Sequence, residues 1–134
     1  MSLYVDSSAL LKRYVDEPDS DEAEAFLQSD PTLLTARHAI VEVRRNLARL
    51  LEDRDAAAAR AAFLEDITVF SIIELDRFTC DAAADIAEIT GVRTLDALHL
   101  AAARRAGGSA VPFLTYDVRR AQAARGLGFT VVGA

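Results

Sequence analysis

Cysteine is almost absent from this chain of 134 residues: there is one, Cys80, and there is no tryptophan. A single cysteine cannot form an intramolecular disulfide or a thiolate cluster within one chain, so any metal site must use oxygen or imidazole ligands. Long apolar runs are also missing, since none approaches the roughly 18 residues that a membrane span needs. No basic segment followed by an apolar stretch of signal-peptide form comes after Met1. We therefore expect a cytoplasmic protein with no membrane partner.

Basic residues are scarce relative to acidic ones. The 15 Lys and Arg are outnumbered by 21 Asp and Glu, which gives a formal net charge of -6 at pH 7. Affinity for nucleic acid usually comes from clustered cations, so this balance argues against such a partner unless carboxylates hold divalent ions that reverse the local field. Arginines do cluster locally, and for most of them a solvated helix face is the simpler interpretation. The clusters are Arg44, Arg45 and Arg49; Arg104 and Arg105; and Arg119, Arg120 and Arg125.

Short apolar runs alternate along the chain with helical patterns. At this length we expect a single domain, 1–134. The alternation predicts an α/β fold with a central, mainly parallel sheet of four to five short strands flanked by helices. The predicted strands are 3–6, 32–35, 68–73, 111–115 and 129–132. The predicted helices are one that Ser7 or Ser8 caps and that ends by Glu17, then 20–28, 37–51, 55–65, 79–90, 94–103 with Thr94 as its cap, and 118–125.

Acidic side chains fall at comparable points of this predicted layout. Asp6 and Asp117 follow strands, and Asp96 lies in the first turn of a helix that is apolar nearly all round. In open parallel sheets the ligand crevice lies outside the carboxyl ends of the strands, at a topological switch point. The three acids are therefore expected to converge there. Glu42 joins them if its helix packs across the same edge.

Each of these acids also has a purely structural interpretation. Asp6 and Asp117 suit turns or helix caps, and Asp96 suits the positive end of a helix dipole. Glu42 can pair with a neighbour on a solvent-facing side of its helix. Taken one at a time, the four positions leave both interpretations open.

The combination of these segments resembles a known family. The motif YVDSSAL at 4–10 is similar to the opening strand and helix of PIN-domain proteins, and RTLDALHLA at 93–101 looks like the most distinctive segment of that family. The motif LTYD at 114–117 resembles the strand that carries its late acidic residue, and Glu42 matches the remaining acidic position. The resemblance spans nearly the whole chain in the correct order, and the compact length is similar to that of the VapC toxins within the family.

The resemblance implies a PIN-like fold and a Mg²⁺-dependent endoribonuclease, with Mn²⁺ as the alternative ion, acting as the toxin of a type II toxin–antitoxin pair. Its implied partners are an RNA substrate, a small antitoxin and a second copy in a homodimer. The residues at its catalytic and metal-binding positions are Asp6, Glu42, Asp96 and Asp117. The family pattern includes His99 without a catalytic role, and we expect a packed, hydrogen-bonded imidazole there.

The chemistry of four clustered carboxylates also favours a bound divalent ion. Carboxylates forced together raise one another's pKa and resist burial, whereas a hard divalent ion binds and neutralises them. We assign Asp6, Glu42 and Asp96 to a first ion, which activates water as the nucleophile. Asp117 supports a second ion or orients water, and an ion stabilises the leaving oxygen. Thr115 either supports the site through its hydroxyl or is structural.

Two other functions use the same fold class. An RNA-processing PIN nuclease outside a toxin–antitoxin pair would use the same acids. An aspartate-based phosphoryl-transfer domain would use Asp6 as its nucleophile. The second alternative fits less well, because a dehalogenase-like site needs another acid where Ser8 stands and no well-placed lysine follows the later strands.

Overall fold

The computed structural model describes residues 1–134 and confirms the predicted α/β architecture. The five strands are β1 Ser2–Val5, β2 Thr32–Ala36, β3 Ser71–Ile73, β4 Phe113–Thr115 and β5 Val131–Gly133. The seven α-helices are α1 Ser7–Leu11, α2 Ser20–Ser29, α3 Arg37–Leu50, α4 Asp53–Asp66, α5 Arg77–Thr90, α6 Thr94–Ala106 and α7 Val118–Gly126. No helix combines the length and the apolar character that crossing a membrane requires.

All five strands pair in parallel, in the order β3-β2-β1-β4-β5. The chain moves outward from β1 to β3 and then returns to the other side of β1 for β4 and β5. This reversal creates a topological switch point between β1 and β4, where open parallel sheets bind ligands. Because Tyr4 is paired with Phe113 and Val5 with Leu114, the carboxyl ends of these two strands lie side by side.

Both faces of the sheet are buried by helices. Leu3 and Val5 of β1 belong to a core cluster with side chains of α1, α3 and α4, whereas Tyr4 belongs to a second cluster with side chains of α5 and α6. Successive residues of a strand point to opposite faces of the sheet. A strand covered on both faces therefore needs apolar residues at successive positions, without alternating polar ones.

Helix α6 has more buried residues than any other helix, as its apolar composition predicted. Its buried residues are Asp96, Ala97, His99, Leu100, Ala101, Ala102 and Ala103. The alanines let it lie close to neighbouring elements, and they bring the polar side chains of Asp96 and His99 inside the protein.

The predicted cap of α6 was wrong by one residue: Thr94 begins the helix and Arg93 is the cap.

Two other local predictions were wrong. The first helix ends at Leu11, because beyond it the N–H groups of Lys12 to Tyr14 donate to carbonyls three residues back and the chain tightens into turns. Its cap is the Asp6 side chain, which accepts from the N–H of Ala9 at 3.0 Å, and not a serine. The predicted strand 68–73 is half as long, because Ile67–Val69 forms a 3-10 turn and only Ser71–Ile73 pairs, at an edge with one neighbouring strand.

Gly91 gives a stability prediction with an internal control. It ends α5 in the left-handed region, at φ 74°, and nothing lies within 4 Å of where a Cβ would stand. Gly91→Ala is therefore expected to lower the free energy of unfolding by about 1 kcal/mol through backbone strain alone. Gly126→Ala, in α7 with equally open surroundings and no positive φ, should raise it by about 0.5–1 kcal/mol. Urea denaturation would measure both, and two changes of the same sign would contradict this explanation.

Candidate active site

The site lies at the switch point of the sheet. The N–H of Asp6 donates to the carbonyl of Leu114 at 3.1 Å, which continues the pairing of β1 with β4 by one residue. Asp6 therefore lies directly beside Thr115, the last residue of β4. Both side chains are fully buried at 0% exposure.

Four donors hold the Asp6 carboxylate. The Ser8 hydroxyl and the Ala9 N–H donate to Oδ1 at 2.6 and 3.0 Å, and the Thr115 hydroxyl and the Arg120 guanidinium donate to Oδ2 at 2.5 and 2.7 Å. Burial by itself would raise the pKa of Asp6, but the charge of Arg120 and these hydrogen bonds outweigh burial and hold it below its ordinary value. The carboxylate is thus ionised and rigidly oriented.

Arg120 joins two of the predicted acids. Its Nη1 donates to Asp6 at 2.7 Å, and its Nε donates to Asp96 Oδ1 at 2.9 Å. Arg120 is 5% exposed and Asp96 is 3% exposed, so two carboxylates and one guanidinium share a site from which water is largely excluded. Burial would lower the pKa of Arg120, but the carboxylates of Asp6, Asp96 and Glu42 raise it, so the guanidinium stays charged.

Glu42 is held by a histidine. It lies on α3, and its Oε1 is 2.7 Å from Nε2 of His99. The other ring nitrogen of His99 is 2.7 Å from the Tyr4 hydroxyl, so the fully buried imidazole is hydrogen-bonded on both sides, as the sequence predicted. Burial would raise the pKa of Glu42, but the hydrogen bond with His99 lowers it below its ordinary value. The solvent-facing interpretation of Glu42 is thereby wrong.

Asp117 stands slightly apart from the other acids. It is half-buried, and its Oδ1 accepts from the N–H of Arg120 at 3.0 Å as the cap of α7. Its own N–H donates to the Thr115 hydroxyl at 3.0 Å, while that hydroxyl donates to Asp6. Thr115 therefore links Asp6 with Asp117, and the structural and functional interpretations of Asp117 are compatible.

Arg120 and Thr115 thus connect Asp6 with Asp96 and with Asp117, whereas Glu42 is held by His99 and contacts none of the other three acids. The four carboxylates do not form a tight group by themselves. One group of three residues does have all its ligand atoms within 4.8 Å of one another, and it consists of His38, Glu42 and His99.

Two residues of the site were missed by the sequence analysis. Arg120 was counted among solvated arginines, although it shares one face of α7 with the buried Ala121 and Ala124, a signal visible at helical spacing. His38 is 8% exposed and lies one helical turn before Glu42. Burial and the neighbouring His99 lower the pKa of His38 to about 4, although Glu42 attracts its proton, so its ring is neutral at pH 7.

Comparison with known proteins identifies the family of this chain. Residues 3–126 match the sequence profile of the PIN domain, so the chain belongs to the PIN-domain family. Ribonuclease VapC46 of Mycobacterium tuberculosis (strain ATCC 25618 / H37Rv) is 34% identical over 131 residues, which span 98% of this chain and 96% of the relative. Within the family the chain is accordingly a VapC-type member.

Solved structures show the same fold. VapC20 of Mycobacterium tuberculosis, a sarcin-ricin loop cleaving toxin, has a TM-score of 0.75 at 21% identity and covers 90% of this chain and 94% of its own. FitAcB from Neisseria gonorrhoeae has a TM-score of 0.77 at 18% identity, with 99% and 97% covered. VapBC-5 of Mycobacterium tuberculosis, a member of the VapBC family of toxin-antitoxin systems, has a TM-score of 0.67 at 20% identity, with 99% and 98% covered.

Proposed function

We propose that this chain is a Mg²⁺-dependent endoribonuclease, which hydrolyses RNA phosphodiester bonds with water and acts as the toxin of a type II toxin–antitoxin pair. The observation that carries the proposal is the convergence of Asp6 and Asp96 on one buried cation, the guanidinium of Arg120. Carboxylates that together hold a cation at the sheet's switch point have the charge and the oxygen atoms that a hard divalent ion prefers. RNA as substrate is supported by the relative VapC46, a ribonuclease, and by VapC20, which cleaves the sarcin-ricin loop.

The donor set fits such an ion. Asp6, Glu42 and Asp96 would hold a first ion, and Asp117 would hold a second or orient water, with Mg²⁺ as the expected metal and Mn²⁺ as its substitute. A bound divalent ion lowers the pKa of water and stabilises the leaving oxygen of a phosphodiester. In the structure the guanidinium of Arg120 supplies the positive charge that the metal ion would supply. An ion that ligates both Asp6 and Asp96 must therefore displace the guanidinium from one of them.

The remaining residues of the site orient its acids. Ser8 and Thr115 donate to opposite oxygens of Asp6, which fixes the plane of that carboxylate. His99 holds Glu42 from the side of α6. Preorganisation of this kind removes the entropy of arranging the acids when substrate binds.

Cations at the surface supply contacts for a phosphate chain despite the acidic net charge. Arg93 is 69% exposed and its Nε lies 3.5 Å from Asp96, so its guanidinium stands at the entrance of the site. Further exposed arginines, available to more distant phosphates, are Arg44, Arg45, Arg104 and Arg119, whereas Arg105 is paired with Asp76.

Apolar side chains at the surface support the proposed protein partners, a small antitoxin and a second copy of this chain. Phe78 and Ile89, both on α5, are 78% and 81% exposed, and Val69 is 82% exposed. Large apolar groups left in water favour burial against another protein. The structural likeness to VapBC-5 supports an antitoxin as one of these partners.

The structure disfavours the phosphoryl-transfer alternative. A dehalogenase-like site needs a second acid where Ser8 stands, and here the Ser8 hydroxyl instead donates to Asp6 Oδ1 at 2.6 Å. An RNA-processing nuclease outside a toxin–antitoxin pair would share the chemistry proposed here. It would differ in having no antitoxin that suppresses its activity.

Metal removal tests the proposed chemistry directly. The chain purified free of any partner should cleave RNA when Mg²⁺ is present, and EDTA should reduce cleavage to background because the carboxylates then hold no divalent ion. Excess Mg²⁺ or Mn²⁺ added afterwards should restore the rate. Cleavage is measured from the disappearance of a labelled RNA on denaturing gels. A rate that EDTA leaves unchanged would contradict a metal-dependent mechanism.

A further inference from the structure

Two imidazoles and one carboxylate lie together beside the acid pocket, and the proposed function uses only the carboxylate. His38 and Glu42 are one turn apart on α3, and His99 projects from α6 toward them. The ligand atoms of the three residues all lie within 4.8 Å of one another. The chain contains two histidines in total, and both belong to this cluster.

The ring of His38 forms no hydrogen bond of good geometry, although the backbone carbonyl of Leu95 lies near enough to favour its protonated form. Its side chain is 9% exposed, and neither Nδ1 nor Nε2 forms a hydrogen bond. The Glu42 carboxylate comes nearest, with Oε1 at 3.5 Å from Nε2. Buried polar atoms are almost always paired, so an unpaired imidazole aimed at a carboxylate and a second imidazole calls for a missing partner. A cation bound between the three groups would be that partner.

His99 is oriented as metal-binding histidines usually are. Its Nε2 faces Glu42, and its Nδ1 is hydrogen-bonded to the Tyr4 hydroxyl. Ligand histidines commonly hold their second ring nitrogen in such a hydrogen bond, which fixes the ring. For Nε2 to bind an ion, the ring proton must lie on Nδ1, where it donates to the Tyr4 oxygen.

The distances need only a small adjustment. Two ligands on a tetrahedral ion with bonds of about 2.0–2.1 Å lie about 3.3 Å apart. The 3.5 Å between His38 and Glu42 is close to that separation, and the 2.7 Å between His99 and Glu42 must lengthen as their hydrogen bond is replaced. Rotation of the half-buried Glu42 side chain would lengthen this contact, and the two imidazole nitrogens, which lie within 4.8 Å of each other, would also have to approach.

We propose that His38, Glu42 and His99 form a binding site for a divalent transition-metal ion of the Zn²⁺ class, separate in its ligand type from the carboxylate pocket but sharing Glu42 with it. Imidazole nitrogen favours such ions, whereas Mg²⁺ and Ca²⁺ prefer sites made of oxygen alone. Two histidines and one glutamate leave a fourth position open for water. The bound ion ties α3 to α6 and sets the position of Glu42.

Zinc binding to the chain without a histidine tag tests this site and requires no RNA cleavage. The exposed Cys80 is first changed, as Cys80→Ser, so that no thiolate can bind zinc. Isothermal titration with Zn²⁺ is then done without Mg²⁺, because a Mg²⁺ ion in the carboxylate pocket would compete for Glu42. His38→Leu should weaken zinc affinity at least tenfold and abolish the zinc-dependent rise in Tm. Asp117→Asn, in the carboxylate pocket and outside this cluster, should leave zinc affinity unchanged.

Nitrogen NMR of the two imidazoles gives a second measurement that requires no substitution within the cluster. One equivalent of Zn²⁺ should shift the ring nitrogens of both His38 and His99 in the Cys80→Ser protein. Ring signals that zinc leaves in place, or equal zinc affinity in the protein with and without His38→Leu, would overturn the proposed site. Neither experiment measures RNA cleavage. The nuclease proposal can therefore fail while the zinc site is confirmed, and the zinc site can fail while the nuclease proposal is confirmed.

Discussion

Asp96→Asn is expected to reduce Mg²⁺-dependent RNA cleavage by about 100-fold or more while the protein remains folded. Changes to groups that merely support a metal ligand already cost about 10–100-fold, so loss of a proposed ligand should cost more. Folding should survive, because Arg120 keeps its 2.7 Å contact with Asp6 and the asparagine oxygen can still accept from Arg120 Nε. Cleavage of a labelled RNA measures the rate, and circular dichroism measures the fold.

Asp81→Asn is the matched control for this change. Asp81 lies on α5 with 72% of its side chain exposed and contacts only Arg77, at 3.7 Å. The same chemical substitution there should leave cleavage unchanged. On expression in cells, Asp96→Asn should also abolish growth inhibition that the wild type causes. A folded Asp96→Asn protein with wild-type cleavage would exclude this residue from the active site.

Arg120→Leu is expected to lower the free energy of unfolding by about 3–5 kcal/mol when no divalent ion is bound. Removing one member of a buried ionic group leaves its partners without compensation, and desolvated charge is costly. Here the change would leave two carboxylates unpaired, on Asp6 at 0% exposure and on Asp96 at 3% exposure. Added Mg²⁺ or Mn²⁺ should restore part of the stability, because an ion can supply the missing charge. Urea denaturation with and without the ion measures both effects.

The neighbouring Arg119 provides the control. It is exposed on the same helix, and Arg119→Leu should change the free energy of unfolding by no more than about 0.5 kcal/mol. Equal stability of the two leucine variants would contradict the role given to Arg120. Loss of stability in Arg120→Leu that no divalent ion recovers would show that the carboxylates cannot exchange the guanidinium for a metal.

Periodicity predicted the elements of this fold well where they are long. Helix α5 and its end at Gly91, and the buried α6, follow from patterns repeated over three or more turns. Short elements were predicted less well. Helix α1 ends at Leu11 and β3 begins at Ser71, because a few residues carry too little periodicity to define an end and local hydrogen bonds decide it.

A position after a strand or in the first turn of a helix indicates Asp6, Asp117 and Asp96, and the family resemblance adds Glu42, but no pattern indicates the partners of these acids. Arg120 looked like one of several surface arginines, and His38 carried no pattern at all. A long side chain can lie in solvent or between two carboxylates, depending on which elements pack against it. A single segment of sequence does not determine those elements.

The sequence by itself determined the α/β class, the family, and the fact that Asp6 and Asp117 follow strands, because these depend on local periodicity and on motifs of a few residues. Only the tertiary structure decided that Arg120 lies between Asp6 and Asp96, and that His99 holds Glu42. Those contacts join residues 114, 24 and 57 positions apart. Side chains so far apart in the chain meet only through the packing of whole helices on the sheet, and that packing follows from the entire buried surface and not from any single segment.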